Sequence, residues 1–266
     1  MKTTRRFHPA IAAACLVSAF LPAPARGESG ESVTDEDLLL ARNRMIIKTR
    51  LTLGNEYTDL DDGGHRDKLT LGGVYGFGFN HHDRNFGVGF ELPMLYNEPA
   101  AGGSDWGVGD FKFRLGQLLV DDPGGWRGGW YFDTEFDTAA DDVRAIANQR
   151  NQMTLGGGAS YPVWGPLTLT STLQYGWSLD EGETTGRKSE WEAHLTASAK
   201  IAPTLALNLD YKAVLNVVGG TEVFNTLEPS IGWTLTKNLG LYASWELPLD
   251  SASTDWVAKA GLMWFF

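Results

Sequence analysis

The chain has 266 residues, 32 of them glycine, with a formal net charge of −11 and a mean hydropathy of −0.21. So acidic a chain lacks the basic patches that nucleic-acid binding needs, and nucleic acid is excluded as a partner. A helical membrane protein is excluded too, since beyond residue 25 no run approaches the roughly 20 continuous apolar residues of a spanning helix; a transmembrane β-barrel is not, because its lipid-facing and lumen-facing residues alternate and average to a polar composition.

Residues 1–25 read as a secretory signal peptide. Lys2, Arg5 and Arg6 form a basic start, Ile11 to Leu21 an apolar core, and Ala23-Pro24-Ala25 a small-residue cleavage site. The single cysteine, Cys15, lies in that core, so cleavage after Ala25 predicts a mature chain without disulfides or thiol chemistry. Residues 26–45 are polar, with Thr34 and Asp37 placed ahead of Leu38-Leu39-Leu40 in the manner of a helix N-cap. They are expected to form a periplasmic leader or a short plug helix.

From Ile46 to Phe266 the hydrophobic period is two. Leu167, Leu169, Leu173, Tyr175 and Trp177 alternate with Thr168, Thr170, Thr172, Gln174 and Gly176, and the other runs repeat the pattern. The runs fall at 46–57, 68–79, 86–96, 106–118, 130–137, 152–163, 167–178, 190–201, 204–216, 223–235, 239–249 and 256–266. Most have about the 9–11 residues that cross a bilayer as a tilted strand. Short turns at Trp164-Gly165-Pro166, Ala202-Pro203 and Thr236-Lys237-Asn238 alternate with long polar loops, although the connection at 119–129 is longer than this rhythm asks. Aromatics gather at both strand ends. Tyr57, Tyr96, Phe136, Trp177, Trp191, Tyr211, Trp245 and Trp256 lie toward the long loops; Phe79, Phe86, Trp130, Tyr161, Trp233, Trp264 and Phe266 lie toward the short turns. The expected fold over 46–266 is all-β: a transmembrane antiparallel up-and-down β-barrel of about twelve strands, in contact with outer-membrane lipid and lipopolysaccharide.

The last strand, ending Leu262-Met263-Trp264-Phe265-Phe266, resembles the terminal strand of bacterial outer-membrane proteins. That resemblance implies recognition of Phe266 by the barrel assembly machinery. The segment Trp106-Gly107-Val108-Gly109-Asp110-Phe111-Lys112-Phe113-Arg114 resembles the Gly-x-Gly-Asp strand of the family named for the MetA pathway of phenol degradation. It implies an outer-membrane barrel through which apolar or aromatic compounds enter the cell.

Parity selects the candidate site. Phe111, Phe113 and Leu115 must face lipid, which turns Asp110, Lys112 and Arg114 inward; Phe132, Thr134 and Phe136 likewise turn Asp133, Glu135 and Asp137 inward. Antiparallel pairing is expected to set these two groups against each other. Glu192, His194, Asp210 and Lys212 are placed on the lumen face by the same rule. Two readings stay open: a charged constriction that selects solutes, or an internal ladder of ion pairs that rigidifies the barrel. Inward glycines, among them Gly72, Gly76, Gly78, Gly87, Gly89, Gly156 and Gly158, are expected to leave room in the lumen or to relieve curvature.

No cofactor or metal is expected. His81-His82 beside Asp83 read as a solvated turn, and no phosphate loop, zinc motif or nucleophile elbow is present. Outer-membrane phospholipases carry a His and a Ser on one strand; here His194 is followed by Thr196, and Ser198 is four residues away, so an enzyme is not expected. The leading function is passive uptake of small solutes, hydrophobic or aromatic ones on the family resemblance. A closed structural or surface-recognition barrel is the alternative, and a lipid-modifying enzyme comes third.

Overall fold

The computed structural model describes residues 49–60, 63–77, 86–100, 102–122, 125–147, 150–180, 189–217, 222–250 and 254–266. The signal and leader, the beginning of the first expected strand, residues 78 and 79, and His81-His82 lie outside them.

The described residues form strands β1 (Arg50–Leu60), β2 (His65–Phe77), β3 (Phe86–Glu98), β4 (Asp105–Val108), β5 (Phe111–Asp121), β6 (Arg127–Phe136), β7 (Gln152–Trp164), β8 (Leu167–Ser178), β9 (Ser189–Ala202), β10 (Leu205–Asn216), β11 (Glu222–Thr234), β12 (Leu239–Pro248) and β13 (Thr254–Phe265), with a 3-10 turn at Asp141–Ile146. Every pairing is antiparallel and joins sequence neighbours, and β1 closes the ring by pairing with both β2 and β13. Segments β4 and β5 both pair with β3 and together make one strand, so the wall is a closed barrel of twelve strands.

The break in that fourth strand corrects the expectation of one run over 106–118, and its cause is on β3. Pro93 has no N–H to give to a ladder. Its carbonyl still accepts the Gly109 N–H at 2.8 Å, while regular pairing stops at Glu91–Lys112 on one side and resumes at Met94–Val108 on the other. The connection at 119–129 is also shorter than expected. β5 runs on to Asp121, with a register shift between Leu118 and Val120, and the Asp122 N–H closes on the Trp126 carbonyl at 3.1 Å. It therefore belongs with the short turns. The β7–β8 hairpin turns on Gly165 at φ 52°, followed by Pro166. Glycine supplies the positive φ that proline then cannot.

The polarity of the wall is the inverse of a soluble protein's. Leu173 is 52% exposed while its neighbour Gln174 is 8% exposed. Leu155, Leu195, Leu209 and Ile231 are likewise exposed, and the buried residues are mostly Thr, Ser, Gln, Asp and Arg. Such an outward apolar face buries its area only in lipid. Aromatic pairs mark both rims: Tyr57–Trp256 at 5.5 Å and Tyr175–Trp191 at 4.8 Å toward the long loops, Trp126–Tyr161 at 4.8 Å and Trp264–Phe266 at 6.1 Å toward the short turns.

Candidate functional site: the barrel lumen

Strand parity brings the polar residues of all the strands onto one inner surface, and their pairing is now visible. On the β5–β6 wall, register sets Lys112 against Glu135 and Arg114 against Asp133. Arg114 holds Asp133 with a fork, Nε to Oδ1 at 2.6 Å and Nη2 to Oδ2 at 2.8 Å, and its Nη1 lies 3.5 Å from Glu91 on β3. Lys112 reaches Glu135 at 3.0 Å. These are the expected rungs.

The outer two members of the expected ladder are elsewhere. Asp110 sits at the β4–β5 break, 3% exposed, and its Oδ1 accepts the backbone N–H groups of Thr138 and Ala139 at 2.9 and 3.0 Å. Asp137 accepts from Arg144 of the 3-10 turn at 2.7 Å. Both tie the 137–147 segment to the wall. That segment packs Val143 and Ala140 against Gly107, where a Cβ would lie 3.0 and 3.1 Å from them, so the loop needs glycine there.

On the opposite side, His194 is held between two carboxylates, with Nδ1 at 2.8 Å from Asp210 and Nε2 at 2.5 Å from Glu192. Thr196 donates to the other Asp210 oxygen at 2.6 Å. Lys212 does not join this group. It spans β11 to reach Glu246 on β12 at 2.6 Å, and Lys259 on β13 holds both Glu246 at 2.6 Å and Glu228 at 3.2 Å. The Lys212–Glu246 and Lys259–Glu228 links skip a strand, which the long lysine stem allows where the intervening residues, Thr226 and Ser244, are small. Parity marks Glu228, Glu246 and Lys259 as inward; which acid each lysine takes depends on curvature that the sequence does not carry.

Some inward glycines are seats for rings. The Tyr131 side chain lies across Gly156 and donates to Gln174 at 2.5 Å, and a Cβ on Gly156 would overlap it. Tyr242 lies across Gly261 in the same way, its hydroxyl ending 2.8 Å from where a Gly54 Cβ would be. Gly72 and Gly89 have no ring over them and line the cavity described below.

What remains open is a cavity of about 340 Å³. Its charged lining is balanced: Glu56, Glu91, Asp133, Asp210 and Glu228 against Arg50, Lys68, Lys112, Arg114 and Lys259, with His194 beside them. No cluster among the described residues has the donors of a metal site.

A closed transmembrane barrel with a polar, hydrogen-bonded lumen is the outer-membrane type of fold. The chain belongs to the family described as "Putative MetA-pathway of phenol degradation", whose model matches residues 48–266. No curated protein matches it in sequence. Among solved structures it is similar to an outer membrane channel from Pseudomonas putida F1, at TM-score 0.68 and 12% identity over 83% of this chain and 96% of that one. It is also similar to the KdgM porin (TM-score 0.54, 11% identity, 82% and 99%) and the NanC porin (0.56, 8%, 82% and 100%). At such identities these likenesses establish the fold.

Proposed function

We propose that this protein is an outer-membrane channel for the passive uptake of small solutes, and that the preferred solute is a neutral, hydroxyl-bearing molecule of about one aromatic ring. The balanced lining carries this reading. Five carboxylates and five cations around the cavity leave little net field to draw ions of one sign, while they offer donors and acceptors to a hydroxyl. A cavity near 340 Å³ lies at the small end of the sites that hold small molecules, about 300–1,000 Å³. The family's link to phenol degradation and the channel and porins of like fold point the same way.

The lumen also argues for a channel over an enzyme. Both ring nitrogens of His194 are engaged by carboxylates, which leaves neither to take a proton from a hydroxyl nucleophile. Export through cleavage after Ala25, and insertion by the assembly machinery through the strand ending in Phe266, belong to the same reading. The test is swelling of liposomes that hold the folded protein. Phenol and catechol should enter faster than a disaccharide, and planar bilayers should show conductance with weak ion selectivity. Absence of both swelling and conductance would favour a closed structural barrel.

A further inference from the structure

The broken fourth strand holds the β6–β7 connection inside the mouth of the barrel. Toward the long loops, pairing sets one row of residues across the first strands: Glu56 opposes Lys68, Lys68 opposes Leu95, and Leu95 opposes Gly107. Directly opposed residues share a face of the sheet. Glu56 and Lys68 line the cavity, so Leu95 and Gly107 point inward too. The 3-10 turn Asp141–Ile146 lies over these two. Val143 is 1% exposed and Leu95 7%, and a Cβ on Gly107 would lie 3.0 Å from Val143 and 3.1 Å from Ala140. The turn is fastened on both sides. Before it, the Ala140 N–H donates to the Val108 carbonyl at 2.9 Å, and Asp110 takes the N–H groups of Thr138 and Ala139. Across it, Arg144 donates to Asp137 at 2.7 Å, and the Asp137 N–H donates at 3.2 Å to Asn151, whose amide donates to Asp180 at 2.6 Å.

We propose that this fastened turn is the outer constriction of the pore and sets the largest solute that enters from outside, an inference that rests on the channel reading above. A barrel of about twelve strands lies between the filled eight-stranded and the open sixteen-stranded ones. A helical turn with its side chains is about 10 Å across, so one laid on the inner wall takes up a large part of such a mouth. It sits at the outer end of the cavity, on the row that Glu56 and Lys68 begin. The break in the fourth strand serves it. Regular pairing lapses between Lys112 and Val108, which turns the Asp110 carboxylate to the 138–139 backbone. Gly107 leaves the room that Val143 fills. The size limit thus rests on an apolar seat and a backbone tether, apart from the charged side chains that line the cavity below.

The experiment reads access from outside and does not depend on what the channel carries. In a Cys15→Ser background the chain has no other cysteine. Thr70→Cys places a thiol in the cavity, one step below Lys68 on the inner face of β2. Intact cells are treated with a small maleimide and with one that carries a bulky polyethylene glycol tail. Asp110→Ala removes the tether, and Gly107→Leu pushes the turn off the wall with the Asp110 bonds kept, so one variant stands in should the other fail to fold. Either should speed the bulky reagent about tenfold or more, equivalent to about 1.4 kcal/mol in the docked-to-released equilibrium, and leave the small reagent's rate nearly unchanged. Gly103→Cys, where a side chain would meet nothing within 4 Å, is the exposed control and should not change. Unaltered labelling by the bulky reagent would overturn the proposal. An equal rise with both reagents would mean a general loosening of the barrel and overturn it as well. Conductance in planar bilayers is recorded on the same proteins. Should neither the native nor the released barrel conduct, the uptake reading fails, while the labelling rates still decide the constriction.

Discussion

Gly156 offers a direct test of how the barrel interior is packed. Register sets Gly156 of β7 opposite Tyr131 of β6, and the ring, 3% exposed, lies over the glycine to reach Gln174 on β8. Gly156→Ala puts a methyl group into the ring's volume, so Tyr131 has to swing away. Overpacking of this kind costs about 1–3 kcal/mol, and the lost bond to Gln174 about 1 kcal/mol more. Alanine returns about 0.5–1 kcal/mol by restricting the unfolded chain. The net expected loss is about 1–3 kcal/mol, read as a shift of the urea midpoint for unfolding from lipid vesicles at unchanged slope. In a Tyr131→Ala background the clash is gone, and the same Gly156→Ala change should be neutral or stabilising by up to about 1 kcal/mol. An equal cost in both backgrounds would show that Gly156 is needed for the backbone and that the ring-over-glycine account is wrong.

The charge pairs give three more tests. Asp133→Asn with Glu135→Gln leaves Arg114 and Lys112 without their wall partners; in a salt gradient the reversal potential should move toward anion preference, and an unmoved potential would make the pair purely structural. Asp110→Ala removes the acceptor of two backbone N–H groups; at about 1.5–3 kcal/mol for each bond to a charged group, the 137–147 segment should become cleavable by added protease, and equal resistance would refute the tether. Leu209→Arg, on the lipid face of β10, should cost about 2–4 kcal/mol in vesicles if it lies near mid-bilayer, whereas a cost under about 1 kcal/mol would place this face at the interface or in the lumen.

Much of the wall was legible because a barrel strand writes itself as alternation. A one-residue slip would turn Leu173 and Gln174 inside out, so the pattern fixes which face each side chain takes. Lys112, Arg114, Asp133 and Glu135 were found for that reason, and their pairing followed from adjacency in the chain. Asp110 has the same parity and was assigned to the same ladder. Its true partners are backbone groups 28 and 29 residues away, recruited because Pro93 interrupts the neighbouring strand. Neither the break nor the inward packing of Val143 leaves a period in the sequence. The lysine bridges across β11 and β12 were hidden for a different reason, since pair rules describe nearest strands and a closed, curved wall brings second neighbours within a lysine's reach.

Glycine shows most clearly why the lumen could not be sized from sequence alone. Gly72 and Gly156 have the same parity and the same sequence look, each within a run of glycines. One faces the open cavity; the other lies beneath Tyr131. The difference is set by the residue opposite. Gly72 is paired with Glu91, which extends toward Arg114, while Gly156 is paired with a tyrosine whose hydroxyl finds Gln174 one strand further on. An inward glycine opposite an aromatic thus stiffens the wall, and one opposite a charged residue widens the path. By that rule the open side of this barrel runs along β2, β3 and β5, where Gly72 and Gly89 meet Glu91 and Arg114. The flat, hydroxyl-bearing solute proposed above would move past glycine backbone on one side and charged side chains of both signs on the other.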